Sequence, residues 1–472
     1  MAGSRYRAEV IPVPHTSGST VSSTSPPDSG ERSVQTGLAR HSADIVFWSL
    51  TMLFGTWMIL RYWDSWYLWM DDWTLLGTRL QVLQDDGYAA FFLRRHNEHL
   101  MAGMVLWNAA LGKMFGLRSY LPWVVTVVLA NVGVAWIVRT YMTRLGTTRL
   151  VASVCAPFVL IWASFGSVSY WAPESIFIIT TALAMAHLLL AEHDGPANRR
   201  DALGVVAGLS AVFIHSSAVI VLIPVVGILL WRQRWGASLI ASIPCATGGL
   251  WFITYGRGVQ VWNFSAHPES VPVPALPRDP ETMVRFMGST LSKVATGSPS
   301  LIAGLLVIFL VTYGTAVAVR QGRGRLACYP IVGTLLYLSA VAWSRASFSA
   351  FLGMEPASRY VAVVALLVSP ILVLAAQELV GRFMPAASWQ TAFVGVAVFV
   401  VALGFQVRGR NDQDREILPY GLGTRGAIFD LVDDGDLEQM DGDALVFDTA
   451  FMDLTVDGVR RLVRMGWFDT DG

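Results

Sequence analysis

Charged residues are scarce in this chain. Asp, Glu, Lys and Arg make up 14% of 472 residues, against about 25% in a soluble domain. That deficit excludes an ordinary soluble enzyme and a disordered chain. Neither sign of charge prevails, with 34 basic residues against 34 acidic ones. The basic stripe that a nucleic-acid partner requires is therefore missing. Cysteines are few. Cys155 and Cys245 fall in apolar runs and Cys328 beside a basic loop, so no disulfide framework is expected. There is no Gly-rich loop ending in Gly-Lys-Ser/Thr and no nucleophile elbow. Lysine is rare beside arginine, and Ala, Val and Gly are plentiful, a usage that suggests a high-GC bacterial source.

What is abundant is apolar. Hydrophobic residues reach 54%, with 18 Trp and 13 Tyr, as aromatic belts at a membrane–water interface require. Residues 1–43 are rich in Ser, Thr, Pro and Gly and are expected to form a disordered cytoplasmic tail. The first apolar run starts near Asp44, too late for a signal peptide, and is long enough to span. Runs of about 16–22 residues then recur, where a span needs about 20. They lie near 45–63, 121–141, 150–165, 173–191, 202–215, 216–231, 236–255, 301–319, 326–343, 360–380 and 389–406. The expected architecture is an all-α polytopic membrane protein of about eleven transmembrane helices over residues 44–407. The pair meeting at His215-Ser216-Ser217 reads as one long helix or two short ones.

Arginine sets the expected orientation. Loops 139–149, 192–201, 231–235, 320–326 and 381–388 hold eleven arginines, among them Arg144, Arg200, Arg234 and Arg323. They all face inward if the run 100–116 is a helix lying in the outer interface rather than a span, and the positive-inside rule selects that arrangement. The N-terminus is then cytoplasmic and the C-terminus extracytoplasmic, in the plasma membrane. Outer segments are 64–120, 256–300, 344–359 and 408–472. The last carries 15 acidic and 7 basic residues. Its stretch 444–451 reads as a strand and 454–465 as a helix, which suggests a small α/β cap.

The chemistry-bearing residues gather in the outer segments. Asp71 and Asp72 follow the first span. One of two adjacent carboxylates can take a proton from an attacking hydroxyl while its neighbour orients the acceptor. If the helix continues, Trp63, Trp66, Trp69 or Met70, and Trp73 share one face, as interface anchors or as a surface for a sugar ring. Asp85-Asp86-Gly87 reads as a turn. In Arg94-Arg95-His96-Asn97-Glu98-His99, a helix would place His96 and His99 on one face. There they could bind substrate or, with Asp71 or Asp72, a divalent metal. A hydrogen-bonded lead-in to the interfacial helix is the simpler reading. Arg345, Glu355, Arg359 and Tyr360 stand at the outer ends of two spans. Arginine suits a phosphate there or snorkels to lipid head groups. Glu174 follows a proline at a helix start, where the helix dipole accounts for it. His215 lies near the outer end of its run, as a packing residue or a functional candidate.

This layout resembles the GT-C superfamily of polytopic glycosyltransferases. The matching features are an inside N-terminus, the pair Asp71-Asp72 in the first outer loop, an interfacial helix after it and ten or more spans. The strings 96–100 and 344–360 resemble those of bacterial members. The resemblance implies a polyprenyl-phosphate-linked sugar as donor. It also implies transfer on the outer face with inversion, to a glycan, lipid or protein acceptor of the cell envelope. It makes Asp71 the candidate base with Asp72 as helper, and Arg359 with Arg345 the phosphate clamp. The His-Pro or Lys-Pro pair of several members is replaced here by Asn97-Glu98-His99. Two other classes remain open from sequence: a transporter, flippase or polysaccharide polymerase, and a non-catalytic envelope protein. Against transport, the spans are nearly free of Asp, Glu and Lys, and no internal repeat is visible.

Overall fold

The computed structural model describes residues 29–68, 71–96, 99–256, 279–295, 297, 299–351 and 357–383. Of the C-terminal segment it describes 404, 407–411, 414–415, 418–419, 422–433, 437, 439–440 and 456–468. The chain divides into Met1–Ser42, of which 29–42 are helical, and Ala43–Gly472, which holds everything below. The helix Ser29–Tyr62 starts inside the segment expected to be disordered. That expectation is corrected for residues 29–43.

Among the described residues the protein is helical and carries no strand beyond one isolated bridge. Seven helices are long and apolar enough to cross a membrane: His41–Tyr62, Leu121–Leu145, Ala172–Ala191, Trp235–Gly256, Leu301–Arg320, Gly324–Ser347 and Ser358–Phe383. This is a membrane-embedded, all-α protein.

Of the other expected spans, 150–165 takes another form and 202–231 takes one of its two expected forms. The run 150–165 breaks into Arg149–Cys155, a 3₁₀ turn Ala156–Leu160, and a second 3₁₀ segment Ala163–Ser169. Pro157 lacks the donor a helix needs, and Gly166 takes φ 50°. Irregular backbone at membrane depth must find partners inside the protein. The buried Arg410 supplies them, donating to the carbonyls of Gly166 and Trp162 and to Ser169 Oγ. The region 202–231 is two helices, Arg199–Ile214 and Ala218–Trp231. They part at His215, whose backbone is extended at φ −157°, ψ 121°. The expected span 389–406, save residue 404, lies outside the described residues, as does the strand expected at 444–451. The helix expected at 454–465 is present as Val456–Arg464.

The helix Ala102–Phe115 stands where an interfacial helix was expected. At 1.5 Å per residue its 14 residues reach about 21 Å, short of a span. The first helix does not run on through the tryptophans. It ends at Tyr62, a turn follows, and Asp71–Trp73 begins a new short helix. The expected tryptophan face is corrected accordingly.

Ala172–Ala191 and Ser358–Phe383 are the most buried of the seven long helices and pack against each other. Leu301–Arg320 closes against Ser358–Phe383 at Gly314, where a Cβ would stand 2.5 Å from the Ile371 carbonyl oxygen. The backbones meet there because glycine leaves room.

Candidate functional site

The arginine-rich loops gather at one end of the bundle. Arg149 pairs with Asp44 at 3.0 Å, Arg232 with Asp194 at 2.6 Å and Arg234 with Asp201 at 3.4 Å. Thr148 N donates to Gln377 Oε1 at 2.7 Å, and Tyr141 Oη to the Leu326 carbonyl at 2.5 Å. These bonds link loops 139–149, 192–201, 231–235 and 320–326. The chain reverses at each of them, so the opposite helix termini meet at the other end.

That other end holds a pocket of about 550 Å³. The two central helices both begin there. Glu174 is in the first turn of Ala172–Ala191, and Arg359 in the first turn of Ser358–Phe383. Their proximity follows from two parallel, adjacent helices starting at one level. Arg359 Nη1 donates to Glu174 Oε1 at 2.9 Å. The other carboxylate oxygen accepts from Ser167 Oγ, and from Ser358 Oγ at 3.5 Å. Glu174 is nearly buried, its side chain 8% exposed, while Arg359 is 36% exposed with its guanidinium 5.2 Å from the Tyr360 ring centroid. The helix Gly324–Phe351 adds Tyr337, Val341 and Arg345 to the lining, spaced four apart on one face. Tyr337 is 2% exposed, and its hydroxyl has no hydrogen-bond partner among the described residues.

Histidines form the facing wall. His96 and His99 both line the pocket, though not from a helix. They exchange backbone hydrogen bonds at 2.9 Å in each direction, which corrects the shared helical face. This is the lead-in to the Ala102–Phe115 helix. Leu100 ties it to the connector between the two short helices: its carbonyl accepts from Ser216 N at 3.1 Å, and its N–H reaches Ser216 Oγ at 3.2 Å. The His215 ring is tilted against His99 at 4.2 Å and against Phe177 at 4.5 Å, between ring centroids. Ser217 reaches His215 Nδ1 twice, with its hydroxyl at 2.6 Å and its backbone N–H at 3.3 Å.

Burial pushes the His99 imidazole down to about 3, with His96 and Arg359 adding repulsion. An unfolded histidine titrates near 6.5. Above 6.5 both states are neutral and the group contributes no pH dependence. Between 6.5 and about 3 only the unfolded state binds the proton, so stability falls as pH falls. The melting temperature in detergent is expected to drop across that window, and His99→Asn to flatten the drop. An unchanged slope in the variant contradicts the burial of this ring.

Asp72 sits elsewhere. Asp72 is fully buried and does not line the pocket. Its Oδ2 accepts from Trp171 Nε1 at 2.8 Å, three residues before Glu174. Asp71 opens the same short helix, and its side chain lies outside the described set. Trp73 is fully buried, donating to the Leu68 carbonyl at 3.0 Å, and is a core residue rather than a stacking platform. Trp69, Glu98 and Glu355 lie outside the described residues. Asp85 and Asp86 lie within the helix Arg79–Leu93, where the expected turn is a kink at Gly87, φ 79°.

Of the residues singled out from sequence, the pocket therefore brings together His96, His99, His215, Glu174, Arg345, Arg359 and Tyr360. Sequence reasoning missed Tyr337, whose only signal is its spacing from Arg345. Among the described residues no three His, Cys, Asp or Glu side chains are grouped to hold a metal ion. No family model and no curated protein sequence matches the chain.

Proposed function

We propose that this chain is a membrane glycosyltransferase of the GT-C kind. It takes a sugar from a polyprenyl-phosphate donor and passes it to an extracytoplasmic acceptor of the cell envelope. The observation that carries the reading is the joint placement of Arg345, Arg359 and the buried Tyr337 hydroxyl in one pocket. Two helix N-termini, with their partial positive charge, open onto the same space. That donor set suits a phosphate group. Under the positive-inside rule the arginine-rich end is cytoplasmic and the pocket faces outward. The C-terminal segment then lies outside as a small cap. The three shorter helical regions and 389–406 would complete the eleven passes.

The reaction is a displacement at the anomeric carbon. The acceptor hydroxyl gives its proton to a carboxylate, and its oxygen bonds to that carbon. The bond from carbon to phosphate oxygen breaks, and its electron pair stays on the phosphate. A phosphodiester with one negative charge becomes a monoester with two, and one proton rests on the base. Arg345 and Arg359 meet the growing charge. Asp71 is the proposed base, within about 3 Å of the hydroxyl in the reacting complex, and Asp72, fixed by Trp171, holds its neighbour's backbone in place. His96, His99 and Tyr360 line the sugar and acceptor side.

The test is transfer of radiolabel from a panel of polyprenyl-phosphate sugars to envelope extract by protein in nanodiscs. Wild type is expected to transfer, and Asp71→Asn to lose about 10²- to 10⁴-fold in rate with folding intact. Equal transfer by wild type, Asp71→Asn and Asp72→Asn removes the acidic pair from the mechanism. No transfer from any donor contradicts the reading and makes flux across proteoliposomes the next experiment.

A further inference from the structure

The pocket holds a fixed negative charge that a plain phosphate receptor would not need. Glu174 is anchored at both oxygens, by Arg359 on one and by Ser167 and Ser358 on the other. Turning it away would break all three contacts, so its charge stays beside Arg359. Among the described lining residues the other charged side chains are Arg345 and Arg359. The His215 and His99 rings lie 4.2 Å apart between centroids, which disfavours charge on both. Glu174, Arg345 and Arg359 together give two positive charges and one negative, a net of one positive.

That balance matches the donor and not the product. A phosphodiester carries one negative charge. The monoester left after sugar transfer has a second ionisation near pH 6 and carries about −1.5 to −2 at neutral pH. Two arginines alone would hold such a product more tightly than the donor, and release would slow turnover.

We propose that Glu174 is a counter-charge that tunes this pocket to a phosphodiester and expels the phosphate monoester. It acts through Arg359 and is a positioning residue. This rests on the phosphate-site reading above. It gives Glu174 a task that a helix-start acid would not have, because a helix dipole would be served equally by a carboxylate facing solvent.

Binding of two probes to the purified full-length protein tests it: farnesyl phosphate, a monoester, and its methyl diester. In wild type the two are expected to bind within a few-fold of each other. Glu174→Gln keeps the shape and removes the charge, and is expected to favour the monoester by about tenfold more than wild type does. In transfer assays the same variant should lose turnover at saturating donor while keeping the rate at low donor. Arg359→Gln gives the opposite sign, weakening both probes and the monoester more. An unchanged preference in Glu174→Gln, or equal weakening of both probes, overturns the counter-charge. Should Glu174→Gln fail to fold, wild type decides: the two probes bound within a few-fold of each other supports the proposal, and a monoester bound about tenfold or more tighter than the diester overturns it. If wild type binds neither probe, the phosphate-site reading itself fails.

Discussion

Arg359→Lys is expected to lower sugar transfer at least about a hundredfold, the cost of removing one well-placed donor to a developing anion. Lysine keeps the charge beside Glu174, so the fold should survive. Truncation would instead leave a nearly buried carboxylate unpaired, a change that costs about 3–5 kcal/mol. What lysine lacks is the planar fork. In the structure Arg359 uses Nη1 on Glu174 at 2.9 Å, and 36% of its side chain is exposed. An ammonium carries three donors about one point and lacks the rigid planar fork that fits a phosphate bidentately. The control is Arg320→Lys, at the other end of the bundle, where transfer should be unchanged. The comparison is kcat/KM for the lipid donor, with melting temperature as the check on folding. Full activity in Arg359→Lys would show that this guanidinium does not meet the phosphate.

Trp467→Ala is the substitution with the largest expected effect on structure. Its ring lies flat on Gly112, where a Cβ would come within 2.6 Å of Cζ3. Its carbonyl accepts from Leu117 N at 2.6 Å, and the next carbonyl, of Phe468, accepts from Arg118 Nε at 2.6 Å. Arg118 also holds Asp433 at 2.8 Å. Trp467 thus pins the C-terminal segment to the Ala102–Phe115 helix and the strand of chain after it. Emptying a slot of this size costs about 3–5 kcal/mol. Limited proteolysis is expected to cut the variant within 456–468 much faster than wild type, and Gly112→Leu, which fills the slot from the other side, should do the same. Equal resistance in all three proteins would contradict this docking.

The spans were legible because a run of about twenty apolar residues has few other uses. Their environment was not. Leu301–Arg320 and Ser358–Phe383 are equally apolar, yet the first is largely exposed and the second is among the most buried of the long helices. A helix that is apolar all round gives no moment to show which face is inside. Breaks inside apolar runs were legible only in outline. The run 150–165 read as one span although it holds Pro157, and the arginine that bonds the carbonyls after it lies more than 200 residues on, at Arg410. The pocket was half visible. His96, His99, Arg345, Arg359 and Tyr360 stood out as polar groups at the ends of spans, and the fold brings them together. Glu174 was noticed too, but its place in a first helical turn already explained it, and its partner lies 185 positions away. Asp72 misled in the other direction. An acid pair beside a membrane reads as surface chemistry, but a distant tryptophan covers one member.

The account stands most directly on where the lipid phosphate binds. A cryo-electron microscopy map of the full-length protein in nanodiscs with a farnesyl phosphate would locate it. The expected result is phosphate density between Arg345 and Arg359, within hydrogen-bond reach of the Tyr337 hydroxyl, with the prenyl chain leading toward the bilayer. Density at the arginine-rich end instead, near Arg200 and Arg323, with the pocket unchanged, would contradict it.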